Sequence, residues 1–82
     1  MSQAQGSDPQ PDRRLTVAVV NEHAGHATVR FLESARIYRL PRTNPDYAVA
    51  LRTLQAAARG RTAVHVRLDA PESETIVGVR AD

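Results

Sequence analysis

Cysteine, lysine and tryptophan are all missing from this 82-residue chain, and each absence narrows what the protein can be. Without cysteine there is no disulfide, no thiolate zinc site, no iron–sulfur cluster and no thiol nucleophile. Aromatic residues make up only 4% of the chain, a poor supply for a surface that stacks bases. The four glycines are scattered, which leaves no phosphate-cradling glycine loop and no nucleophile elbow. No apolar run approaches the roughly 18 residues that a membrane-crossing helix needs. The first residues, Met1 to Gly6, carry neither a basic start nor an apolar stretch. They predict no secretory signal, and hence a cytoplasmic protein. A chain of this length has room for one small core.

What is present is arginine. All eleven basic residues are Arg, against nine acids, and the net charge is +2. The distribution is uneven: residues 1–26 carry −1, residues 27–67 carry +6 and residues 68–82 carry −3. Guanidinium groups are planar, permanently charged forks suited to carboxylates, phosphates and aromatic faces. A basic middle and an acidic end also favour salt bridges within a compact fold.

Residues 1–14 hold Gln, Ser, Gly, Asp and Pro with few apolar side chains. Such a stretch buries too little to offset its ordering entropy and predicts a disordered tail, with one domain over 15–82. Leu15–Val20 is rich in β-branched residues and reads as a strand. Ala27–Glu33 and Ala35–Leu40 read as two more, joined by a tight turn at Glu33-Ser34. In the second of the three, Val29 and Phe31 face one way and Thr28 and Arg30 the other. Asn44-Pro45-Asp46 then supplies an N-cap, a proline and an acid, the start signal of a helix expected to run from Pro45 to Arg59. Tyr47, Leu51, Leu54 and Ala58 make its apolar face. Gly60 is the expected residue of positive φ at its end. Ala63–Asp69 alternates again, with Val64, Val66 and Leu68 inward. Thr75–Arg80 is the last strand, with a bend or bulge expected at Gly78.

The order β-β-β-α-β-β implies a mostly β, α+β domain: a small five-stranded antiparallel barrel resembling the OB-fold in topology and length. The alternative is an open, curved antiparallel sheet with the helix packed on one face. Val17, Val19, Val29, Phe31, Tyr38, Val64, Val66 and Leu68 are the expected inward strand residues. Val20, Leu32 and Val49 are expected to be partly exposed.

Three chemistries can be weighed on these residues. The carboxylates are scattered, no pair sits on a rigid element, and the chain predicts no enzyme and no cofactor. His23 and His26 sit three apart in a loop and could share a metal ion, with Glu22 or His65 as a third ligand; two exposed loop histidines are the plainer reading. Arg30, Arg36, Arg39 and Arg67 could form a basic face for sequence-tolerant nucleic-acid binding, with Phe31 and Tyr38 as the available rings. Arginines on strands equally lie over apolar surface or pair with acids. The expectation that best fits the whole is a non-catalytic interaction module binding another protein or a second copy of itself. Small domains often gain stability by association.

Overall fold

The computed structural model describes residues 12–82, and it holds five strands and one helix. In chain order these are β1 (Arg13–Glu22), β2 (His26–Phe31), β3 (Ile37–Pro41), α1 (Tyr47–Gly60), β4 (Ala63–Leu68) and β5 (Ile76–Ala81). Most of the expected tail lies outside the described residues. Its last two residues, Arg13 and Arg14, are strand, because they pair with Val66 and His65 of β4.

The five strands form one antiparallel sheet in the order β3-β2-β1-β4-β5. β1 holds it together by changing partner along its length. Arg13 to Thr16 pair with β4, and Val17 to Glu22 pair with β2. The register slips between Val17 and Val19, which makes Ala18 the extra residue of a β-bulge. A bulge bends its strand and raises the local twist, so the sheet curls at this point. The segment leading into β5 meets β3 at a single parallel bridge among the described residues, Thr75 to Arg39, where the Arg39 N–H donates to the Glu74 carbonyl at 2.8 Å. Beyond that bridge no ladder closes the sheet among the described residues, and the open, curved arrangement describes it.

The inner face carries the core. Leu15, Val17, Val29, Phe31, Tyr38, Leu40, Val64, Val66, Leu68 and Ile76 are all buried there. Ala50, Leu51, Leu54 and Ala57 of α1 close over them, with Tyr47 and Ala58 partly buried at the margin. Phe31 and Tyr38 meet edge to face at 5.3 Å, the favoured geometry for neighbouring rings. The Tyr38 hydroxyl lies 3.3 Å from Ser34 Oγ.

Three local expectations are corrected. Val19 is not inward: the extra residue at Ala18 turns it out, and it is 44% exposed, while Val20 packs partly buried against the core. The helix begins at Tyr47, not Pro45, and Asn44 is not its cap. Asn44 Oδ1 instead accepts the Asp46 N–H at 2.8 Å, and its amide donates to the Val77 carbonyl at 3.0 Å. Val77 is the extra residue of a second bulge, beside Gly78, where a bulge was expected. At the other end of α1 the residue of positive φ is Arg61 (φ 53°), not Gly60. The Thr62 and Arg61 N–H groups donate to the Ala57 and Ala58 carbonyls, which completes a Schellman closure one residue later than glycine would have placed it. Among the described residues no helix is long and apolar enough to cross a membrane.

Candidate functional site

The alternation of β2 and β3 decides where the arginines go. Ala27, Val29 and Phe31 point into the core, so Thr28 and Arg30 point out; Tyr38 and Leu40 point in, so Ile37 and Arg39 point out. Register then assembles them. Val19 lies opposite Arg30 and Arg30 opposite Ile37, while Asn21 lies opposite Thr28 and Thr28 opposite Arg39. Directly paired side chains stand about 5 Å apart at Cβ, so these two rows form one continuous outer surface across β1, β2 and β3. Ile37 is 53% exposed and Leu32, in the turn just after β2, is 58% exposed. The surface therefore alternates apolar side chains with guanidinium groups. Neither Arg30 nor Arg39 meets a carboxylate among the described residues.

The other two arginines expected on this face are elsewhere. Arg36 sits in the β2–β3 turn, where its guanidinium donates to the Glu72 carbonyl at 2.8 Å. Arg67 lies on β4, in the half of the sheet beyond β1. There Arg14, His65 and Arg80 form a directly opposed row, with Arg67 one step along β4. The guanidinium groups of Arg14, Arg67 and Arg80 gather here, and two aspartates bridge them. Asp12 takes Arg80 at 2.7 Å and Arg67 at 3.8 Å. Asp82 accepts from Arg14 at 2.7 Å and from His65 Nε2–H at 2.9 Å. The Arg14 and His65 bonds hold the Asp82 carboxyl at about 2, well below its ordinary value. The Arg80 hydrogen bond pulls the Asp12 carboxyl down in the same way.

Phe31 and Tyr38 are core residues, 3% and 1% exposed, and offer no platform for a base. The histidine pair is half assembled. The His23 and His26 rings stack with centroids 4.9 Å apart, and His23 Nε2 shares a hydrogen bond with Thr28 Oγ1 at 3.1 Å. His65, the third ligand considered, is held by Asp82 on β4. No group of three His, Cys, Asp or Glu side chains that could hold a metal ion occurs among the described residues.

The outer apolar residue that sequence reasoning missed is Val19. Only the bulge at Ala18 exposes it, and an alanine between valines carries no signal of a bulge. Ile37 was legible from the alternation of β3.

No family model matches the chain, and no curated protein matches it. Solved structures do. The crystal structure of pro-protein-glutaminase is similar at 23% identity and a TM-score of 0.76, over 90% of this chain and 26% of that one. A mutant of the same pro-protein-glutaminase is similar at 22% identity and a TM-score of 0.75, over 89% of this chain and 26% of that one. The chain thus spans about a quarter of the length of the structures it resembles, and at this identity the likeness is one of fold.

Proposed function

We propose that the domain is a non-catalytic interaction module whose partner is another protein, held against the outer surface of β1, β2 and β3. The observation that carries the reading is the row Val19–Arg30–Ile37. It sets exposed aliphatic groups beside guanidinium groups that no carboxylate of the described residues neutralises. Apolar anchors together with arginine are what protein interfaces are enriched in. The fold likeness supports the same reading. In pro-protein-glutaminase this fold accounts for a quarter of the chain, joined to the remaining three quarters. A small domain that lacks cysteine suits the accessory part of a proenzyme.

Amide NMR of the domain tests this directly. The spectrum is recorded at micromolar and millimolar protein, then with mature protein-glutaminase as a probe enzyme. Saturable shifts at Val19, Arg30 and Ile37 on adding the enzyme, lost in Ile37→Asp, support a protein partner. The same shifts on raising concentration alone support a second copy of the chain. A spectrum indifferent to both overturns the reading.

A second reading, weak and sequence-tolerant nucleic-acid binding, rests on Arg30 and Arg39, with Arg36 at the adjacent turn. It predicts an affinity for single strands that falls with salt with a log–log slope of about 0.7 per phosphate contact. No anisotropy change with a labelled single strand at low salt ends it.

A further inference from the structure

A groove of about 870 Å³ opens where the last turns of α1 face β1, the start of β4 and the end of β5. Short side chains make room for it. Ala57 and Val64 are buried and Ala63 half-buried in its lining. Arg14, Arg52 and Arg61 are the cations of its lining, all three exposed, and Asp82 is the one carboxylate. Asp82 is taken up by Arg14 and His65. Arg52 and Arg61 meet no carboxylate among the described residues, so the groove carries an excess of positive charge.

The backbone at Arg61 points the same way. It is the one non-glycine residue of positive φ among those described, and a glycine stands immediately before it. Ending the helix one residue earlier would have put that glycine in the left-handed position, where it costs least. The chain instead accepts a strained arginine, and its side chain lines the groove. Strain kept where a less strained choice lies one residue away is a mark of a functional position. The negative end of the helix dipole does not cancel the charge here. The Ala57 and Ala58 carbonyls are taken by the Thr62 and Arg61 N–H groups, and Arg59 adds a cation to the last turn.

We propose that this groove binds an acidic segment of a partner polypeptide, with Arg52 and Arg61 taking its carboxylates. Asp82 on Arg14, at 2.7 Å, shows the contact a visiting carboxylate would make. The lining selects peptide over nucleic acid. It holds no aromatic ring for a base to stack on, and its alanines fit small side chains set between acids. The groove shares only β1 with the β1–β3 face, through Arg14 and Thr16 rather than through Val19 and Asn21, and the proposal does not depend on that face.

The domain, followed by amide NMR at low salt, is titrated with a blocked peptide of alternating Asp and Ala. Inorganic phosphate and oligothymidylate serve as the competing probes. Saturable shifts confined to Arg52 and residues 57–64, weakening as salt is added, are the expected result. The pair Arg52→Gln and Arg61→Gly lowers the peptide affinity at least about fivefold. Glycine keeps the left-handed backbone, so the circular dichroism and the β2–β3 signals stay as in the parent. The proposal is overturned if the peptide gives no saturable shift, or if the double variant binds it as the parent does. Equal or stronger shifts with phosphate or oligothymidylate overturn it in favour of a simple anion site or a nucleic-acid site. A negative outcome here with shifts at Val19 and Ile37 in the earlier titration leaves the β1–β3 interface standing.

Discussion

Glu33 closes over Thr16 at the residue where β1 leaves β4 for β2. One carboxylate oxygen accepts the Thr16 N–H at 2.8 Å and the other accepts its hydroxyl at 2.7 Å. The N–H of the neighbouring Leu32 reaches the Thr16 carbonyl at 2.9 Å. A strand that changes partners leaves backbone groups without a ladder, and an unmet group costs free energy when water is kept from it. Glu33 supplies the missing acceptor. We predict that Glu33→Ala destabilises the domain by about 1 kcal/mol, a modest figure because water reaches the site. Thr16→Val in the Glu33→Ala background adds little further, since the two changes remove one shared interaction. Denaturant midpoints of the four proteins in that cycle check it.

Acid tests the same carboxylates together. Glu33 is held below its ordinary value chiefly by the Thr16 hydroxyl, Asp82 chiefly by Arg14, and Asp12 chiefly by Arg80. A carboxyl whose folded value is depressed stabilises the fold above its unfolded value, and that contribution is lost as pH falls through the folded one. For Asp82 the window runs from its ordinary 3.8 down to about 2. The melting temperature is therefore expected to be level above about pH 5 and to fall below about pH 4. Asp82→Asn melts lower than the parent at neutral pH and shows a shallower acid slope. High salt flattens the parent's slope as well, because these groups face solvent. An acid slope unchanged in Asp82→Asn would remove Asp82 from the account.

Arg61 bears the conformational cost at the end of α1. A side chain in the left-handed region costs roughly 1–2 kcal/mol, which glycine escapes. We predict that Arg61→Gly raises stability by about 1 kcal/mol while removing one cation from the groove. Gly60→Ala is expected to change stability little. The added Cβ would meet Thr62 Cγ2 at 3.3 Å, which offsets the gain in helix propensity. Thermal melts of the two variants separate these outcomes.

The class of fold was legible because it rests on periodicity. Val64, Val66 and Leu68 alternate into the core as their spacing requires, and Leu51 and Leu54 fall on the buried stripe of α1. What was not legible turned on single-residue slips that no pattern announces. Ala18 adds one residue to β1, and that alone sends Val19 outward. Asn44 precedes the helix with the right chemistry for a cap, yet its side chain is used to pin the loop to the bulge at Val77. Gly60 is the residue that favours a left-handed backbone, yet it is the last residue of the helix and the left-handed position falls to Arg61. The arginine set divides for the same kind of reason. Arg30 and Arg39 share a face through register, whereas Arg67 belongs to a strand across β1, where Asp12 answers it.

Tyr47 ends its ring in a hydroxyl that is shielded from solvent and has no hydrogen-bond partner among the described residues. The Arg42 guanidinium lies 5.8 Å from the ring centroid. Tyr47→Phe removes the unmet hydroxyl and keeps both the packing and the cation–π contact. It is expected to stabilise the domain by about 0.5–1 kcal/mol. A loss of stability instead would show that the hydroxyl is satisfied in solution.

Leu54 is the residue on which the closure of the sheet by α1 depends most. It is fully buried on the helix face that closes over the strand core, between buried Ala50, Leu51 and Ala57. Two of these neighbours, Ala50 and Ala57, are too short to fill the space it leaves. A Leu→Ala change at such a position loses the transfer free energy of the deleted groups and adds the cost of the remaining cavity. We predict a destabilisation of about 3 kcal/mol. For a domain of this size that is a large share of a total stability that runs at roughly 0.1 kcal/mol per residue. Leu54→Ala should thus melt many degrees lower or be partly unfolded at room temperature. Leu54→Met, which conserves volume, should lose less than about 1.5 kcal/mol. If both variants melt like the parent, α1 does not pack on the sheet through this face.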